Sequence, residues 1–308
     1  MSTSKDSLSA FELKSVCWLD RDVSIGSGAF GRVRKVSING VIHAAKKLHD
    51  ILINSEISPT ERSAVIVKFR HECLILSRMK HPNIVHFVGI HKGKGPADMS
   101  LIMECLDTDL AKFVENHHNI PVSVTLSILL DVSYGLVYLH THHPPIIHRD
   151  LSAHNILLTK DLHAKIADLG MSKLFSTRKR MTMAPGHLTY MAPECLFDRP
   201  EYDEQIDIFS FGHLALSVLI GRDPGTDKKR EAAMKEINHK HCLRSVVSQC
   251  LKLDPNERPI AEIVNKKLKD LCMKHPKTVE DLAQVLMEDN VSEDWGCRYV
   301  TADHNTKL

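Results

Sequence analysis

The run IIHRDLSAHNILL, residues 146–158, sets His148, Arg149 and Asp150 between apolar flanks. Burying an unpartnered carboxylate is costly, so a carboxylate in such a run is paired, metal-bound or chemically employed. Asn155 follows closely, then the apolar ILL, a turn at TKD, and a second short strand, AKIAD, that ends at Asp168 before Leu169 and Gly170. Asp150, Asn155 and Asp168 thus gather a base, an amide and a second carboxylate at one hairpin. That set suits an attacking hydroxyl beside bound Mg²⁺.

A second candidate for chemistry is GSGAFG, residues 26–31, with glycines at Gly26, Gly28 and Gly31. A dinucleotide fingerprint needs a helix directly after such glycines. Here RVRKVSINGVIHAAKKL continues instead as alternating strand with a two-residue NG hairpin signal at Asn39 and Gly40. The loop therefore joins antiparallel strands, and its amides can lie over phosphates without an intervening side chain. Lys46 and Lys47 close the next strand on opposite faces. Lys46 shares its face with the small Ala44, which makes it the candidate phosphate ligand. In the helical run that follows, Val65, Phe69, Glu72, Leu76 and Met79 fall on one stripe. A glutamate within an apolar seam requires a cation, and Lys46 is the nearest candidate.

The elements that must hold these residues divide into two sets. Residues 1–18, polar with an apolar end, read as an N-terminal extension. From residue 19 to about 106 the pattern is a strand meander, one helix over residues 61–80, and two further strands in HPNIVHFVGI and MSLIMECL. After a polar hinge, DTD at 107–109, amphipathic helices are expected at 121–140, 205–221, 242–252 and 259–272. Residues 273–308 form a C-terminal extension with one more helix in PKTVEDLAQVLMEDN. The expected fold class is α+β, with a small β-rich lobe on a larger helical lobe.

The 308 residues are 43% hydrophobic and 25% charged, with a net charge of +2, so nothing global favours nucleic acid or an anionic membrane as partner. No signal peptide and no membrane span are expected, and the location inferred is cytoplasmic, with the nucleus open. The eight cysteines are scattered singly, without a C-x-x-C pair, and read as reduced thiols.

GSGAFGRV, AAK, Glu72 before HPNIV, HRDLSAHN, DLG, APE at 192–194, IDIFSFG and DPNERP stand in the order and approximate spacing of a eukaryotic protein kinase, and the chain resembles that superfamily over residues 19–272. It looks most like the tyrosine-kinase-like group of serine/threonine kinases. The resemblance implies a bilobal fold, an N-lobe over 19–106 and a C-lobe over 107–272. It also implies ATP and Mg²⁺ as cofactors, and a protein substrate. Lys46 would hold the α and β phosphates and pair with Glu72; Asp150 would take or orient the hydroxyl proton; Asn155 and Asp168 would hold Mg²⁺. Ile25, with the glycines, would cover the nucleotide, and Val33, Ala44 and Leu157 would sandwich adenine. Met103 would be the gatekeeper, with the backbone of Glu104 and Leu106 on the adenine edge. His148 would stack in a column with Leu76, Phe87 and Leu169 above Asp207. Arg149 would face a phosphate, and Glu194 would pair with Arg258.

The chain departs from the pattern at Ser152, where serine/threonine kinases usually carry a lysine, and at His187, where they usually carry a threonine. Tyrosine kinases often place an arginine where this chain has His154, and histidine is mostly uncharged at neutral pH in its ordinary range. LIM-type kinases are similar in lacking that lysine. Losing a cation at the transferring group costs about 3 kcal/mol, or about a hundredfold in rate. The leading expectation is a serine/threonine kinase, with a pseudokinase scaffold and a dual-specificity or tyrosine kinase as alternatives. Regulatory phosphorylation is expected at Thr182, Thr177 or Ser176, by an upstream kinase or in trans.

Overall fold

The structure, a computed structural model, describes residues 8–19, 25–28, 31–48, 58–93, 98–169, 189–195 and 203–288. Asn39 (φ 52°) and Gly40 (φ 81°) both adopt left-handed backbone, as a two-residue hairpin turn requires. The turn joins β3 (Gly31–Ile38) to β4 (Val41–Leu48) in unbroken antiparallel register from Ile38↔Val41 to Gly31↔Leu48. Around this ladder the sheet orders β1 (Cys17–Trp18), β3, β4, β6 (Met99–Glu104) and β5 (Phe87–Lys92), with β2 (Gly26–Gly28) sharing the β3 edge. Alternation along β4 sends Ala44 to the main core and Ala45 to a separate cluster with Val36 and Ile102. Lys46 is buried, and Lys47 pairs with Asp98 at 2.7 Å near the surface.

Helix α1 (Pro59–Arg78) begins at a capping box: Ser58 Oγ accepts from the Glu61 N–H, and Glu61 Oε2 accepts from the Ser58 N–H. Proline at its first position suits a site with no intrahelical bond to make. Its buried face carries Phe69, Glu72, Cys73 and Leu76, so the carboxylate does lie in the apolar seam.

The lower lobe contains α2 (Leu110–Asn116), α3 (Val122–His140), a small sheet of β7 (Thr108–Asp109), β8 (Ile156–Leu158) and β9 (Ala164–Ile166), α4 (Gln205–Ile220), α5 (Asp227–Glu236), α6 (Arg244–Cys250), α7 (Ala261–Lys274) and α8 (Val279–Glu288). Helix α4 is buried almost all round, as a helix apolar on every face must be. Among the described residues α3 alone is long and apolar enough to cross a membrane, and 61% of that stretch is buried within the lobe. The expected helix over 205–221 stops at Ile220, because Gly221 (φ 71°) takes the left-handed cap that ends it. The helix expected over 259–272 begins two residues later, after Pro259 and the capping Ile260. Strand structure in HPNIVHFVGI starts only at Phe87, and MSLIMECL leaves the sheet after Glu104. Residues 227–236, for which no helix was expected, form α5. Residues 8–18, the apolar end of the extension, pack on the sheet.

The two lobes are stitched beside the site. Val85 N–H donates to Ile166 O and Ile166 N–H to Asn83 O, both at 2.9 Å, while Asn83 Nδ2 donates to Ala164 O at 3.0 Å. Helix α3 presses on this seam at Gly135, where an added Cβ would lie 2.7 Å from Ile166 Cδ1 and 2.9 Å from Asn83 O. Glycine to alanine in a helix ordinarily stabilises by about 1 kcal/mol. Here the sign reverses: Gly135→Ala is expected to destabilise the protein by about 1–3 kcal/mol in urea unfolding, because the backbone oxygen cannot yield without breaking the seam.

Candidate active site

Lys46 enters from β4, where it stands opposite Val33 on β3 and Leu101 on β6. Its Nζ lies 2.8 Å from Glu72 Oε1 on α1 and 2.8 Å from Asp168 Oδ1, two residues past β9. Burial alone would lower the ammonium's pKa, but Asp168 and then Glu72 outweigh it and hold the lysine above its ordinary range. Burial pushes the Glu72 carboxyl toward its neutral form, up to about 7 against the pull of Lys46, so the lysine is the member of the cluster held firmly charged.

In the lower lobe, Asp150 and Asn155 are joined directly. Asn155 Nδ2 donates to Asp150 O at 2.7 Å and to Asp150 Oδ2 at 3.0 Å, which leaves the amide oxygen directed away from that carboxylate. A 3₁₀ turn, Ala153–Asn155, carries the amide, and Asn155 O accepts from Ala167 N–H at 2.8 Å. The loop bearing Asp150 and the strand leading to Asp168 are therefore tied at Asn155, itself bonded to Asp150, and at Ala167, one residue before Asp168.

Asp207 fixes the other end of the loop. It is fully buried, and its Oδ2 accepts from His148 N–H (2.8 Å) while its Oδ1 accepts from Arg149 N–H (2.9 Å). His140 Nε2 lies 2.9 Å from Oδ2. Burial would raise this carboxyl's pKa, yet the His140 hydrogen bond, then the charge and backbone contributions, hold it below its ordinary range. His148, itself fully buried, places Nε2 2.9 Å from Ala167 O. Leu76, Phe87 and Leu169 share the main core.

The nucleotide-side residues converge as the register dictates. Ala44 faces Met103, and Phe87 stands opposite Met103 on the other side of β6. Val33 and Leu157 are half-buried against the same core, as are Ile25 and Leu106. Gly26, Gly28 and Gly31 pair through β2 and β3, with Gly28 opposite Gly31. Glu104 N–H donates to His86 O at 3.0 Å, and its carboxylate takes two bonds from Lys165 Nζ at 2.8 and 3.0 Å. Glu194 and Arg258 form a two-bond pair at 2.6 and 2.8 Å. Ser152 is buried, and its Oγ has no hydrogen-bond partner among the described residues. His154 is exposed, 3.8 Å from Asp109 Oδ1. His187, Thr182, Thr177 and Ser176 lie outside the described residues.

Three contributors escaped sequence reasoning. His140 closes an apolar helix, and a lone polar residue at such an end was the signal. Lys165 alternates with the buried Ala164 and Ile166, so it had to point away from the core. His213, within the apolar run of α4, is fully buried with Nε2 3.1 Å from Asp223 Oδ1 and its ring 4.4 Å from that of Tyr190; Asp223 Oδ2 accepts from Thr189 Oγ1 at 3.1 Å. This cluster seats residues 189–190 on α4.

The family described as protein kinase domain matches residues 19–299. Serine/threonine-protein kinase VIK of Arabidopsis thaliana is 32% identical over 266 residues, covering 80% of this chain and 58% of the relative. Serine/threonine-protein kinase TNNI3K of Mus musculus is 31% identical over 264 residues, covering 80% of this chain and 31% of the relative. Dual specificity protein kinase splA of Dictyostelium discoideum is 29% identical over 277 residues, covering 80% and 11%. The chain spans less than two thirds of the length of each of these relatives.

Asp207→Ala strips the acceptor from two buried N–H groups and from His140, and is expected to cost about 3–5 kcal/mol in urea unfolding. Burial lowers the His213 imidazole from its usual 6.5, so the unfolded chain takes up that proton first and the associated stability is lost as pH falls through 6.5. His213→Gln is therefore expected to flatten the decline of Tm between about pH 7 and pH 5.5, as read by calorimetry at matched ionic strength.

Proposed function

Since the chain belongs to the protein kinase family, we propose that it transfers the γ-phosphoryl group of ATP to serine or threonine hydroxyls of protein substrates. The observation that carries the proposal is the Lys46 ammonium held between Glu72 and Asp168, with the backbone beside Asp168 bonded at Ala167 N–H to Asn155, which is itself joined to Asp150. In this reading Lys46 holds the α and β phosphates in a fixed place because Glu72 fixes its own. Ile25 and the backbone of Gly26, Gly28 and Gly31 lie over the nucleotide. Val33, Ala44 and Leu157 enclose adenine beside Met103, and the backbone of Glu104 and Leu106 meets its polar edge.

Mg²⁺ fits the acidic side of the site, whose donors are the partly exposed Asp168 carboxylate and the Asn155 amide oxygen, hard oxygen ligands of the type this ion takes. When bound, the ion neutralises charge on the phosphates. Asp150 orients the acceptor hydroxyl and receives its proton, and Asn155 restrains the carboxylate through Nδ2 while presenting its oxygen elsewhere. Ser152 supplies no cation to the transferring group, so transfer is expected to be slower than with a lysine there, by about a hundredfold. Activation by phosphorylation at Thr182, Thr177 or Ser176, by another kinase or in trans, belongs to the same proposal.

Purified protein incubated with Mg-ATP and mapped by phosphosite mass spectrometry tests it. Wild type should gain phosphate on serine and threonine, and Asp150→Asn should lose at least about a hundredfold in rate. No new phosphate on wild type, with folding intact, would turn the reading to a nucleotide-binding scaffold. Phosphotyrosine would turn it to dual specificity.

A further inference from the structure

Residues 8–18 cross the upper sheet from one edge to the other. At the β5 edge Leu13 N–H donates to Ile90 O at 2.8 Å, Glu12 forms a parallel bridge with Ile90, and Glu12 Oε2 meets Lys92 Nζ at 3.0 Å. At the opposite edge Cys17 and Trp18 pair with Ser37 and Val36. Between these anchors Leu13, Val16 and Trp18 lie on the cluster of Val36, Ala45 and Ile102. The strap passes β5 closely enough that a Cβ on Gly89 would sit 2.7 Å from Leu13 Cγ and 2.8 Å from Phe11 O.

The start of the strap reaches the other face. Leu8 is 1% exposed and belongs to the main core that includes Cys73, Leu76 and Met103. Phe11 meets the Phe87 ring edge-on, with centroids 5.3 Å apart. Phe87 in turn stands opposite Met103 and shares the core with Leu76 of α1. Both the 3₁₀ turn Ser9–Phe11 and the helix that carries Glu72 pack on β5, so the strand is held by the two together.

We infer that Phe11, with the buried Leu8 that begins its turn, positions the site for phosphoryl transfer: edge-on to Phe87, it holds that ring and, through it, the place of α1 at which Glu72 meets Lys46. The inference rests on the kinase reading. Phe11 is 38% exposed, so truncating it removes the Phe87 contact without opening an enclosed cavity. Its effect therefore falls on the alignment of α1 more than on global stability.

The test uses the full chain with Phe11→Ala, Phe11→Leu and, as a comparison on the outer face, Trp18→Leu. Phe11→Ala should lower kcat by about fivefold with the KM for ATP within about twofold, and Phe11→Leu should restore most of it. Amide hydrogen exchange over residues 64–78 should quicken in Phe11→Ala and stay unchanged in α3. Trp18→Leu should lower Tm and leave kcat unchanged. Unaltered kcat and exchange in Phe11→Ala, or a kcat loss matched by Trp18→Leu, would overturn the inference. If wild type transfers no phosphate, the functional reading fails separately, and exchange over 64–78 alone decides: faster exchange upholds the positioning role, and unchanged exchange overturns it.

Discussion

A buried ammonium between two carboxylates, each 2.8 Å away, is the interaction on which this structure turns. A lysine taken out of water without compensation gives up its proton; here the paired acids reverse that tendency. The three charges come from β4, α1 and the end of β9, so one ammonium fixes the relative place of a sheet, a helix and the opposite lobe.

The lower lobe solves the matching problem with a buried anion and no lysine. Asp207 satisfies two consecutive backbone N–H groups at His148 and Arg149, and Arg149 holds a left-handed backbone (φ 68°). A non-glycine residue in that conformation costs about 1–3 kcal/mol and persists only when its surroundings over-determine it. Asp207 provides that constraint for Arg149, and Lys46 provides it for Asp168 (φ 60°). Strain is thus placed next to Asp150 and at Asp168, with each strained residue held by a charge from an element distant in sequence.

Much of this was legible in the residues. Glu72 stood out because its neighbours on a helical stripe are apolar, Lys46 because strand alternation placed it with Ala44, and the β3–β4 hairpin because Asn-Gly suits left-handed backbone. The column residues and the Glu194–Arg258 pair came from resemblance, since long-range partners have no local pattern. Where residues 8–18 pack was not legible, for a physical reason. Leu8, Phe11, Leu13, Val16 and Trp18 follow neither a strand nor a helix period, because the segment crosses the sheet and meets each strand for only one or two residues. Helix α5 was hidden by its polarity: it rests on Ala233 and on Arg230, whose guanidinium lies 4.7 Å from the Phe209 ring centroid.

The two lobes differ in how firmly they hold their half of the site. Below, the anchors are self-contained: Arg258 binds Glu194 with two bonds and lies 4.9 Å from the Phe209 ring centroid, and Arg230 approaches the same ring. None of these contacts requires the upper lobe. Above, Glu72 rides on a helix whose capping box is exposed and whose buried face is only one stripe wide. Breaking a buried pair by removing one partner costs about 3–5 kcal/mol, but moving a helix apart from a sheet lets water solvate both charges, which lowers that cost. The Lys46–Glu72 contact is therefore the join in the site most readily opened, and packing on β5, from α1 and from residues 8–13 together, is what keeps it closed.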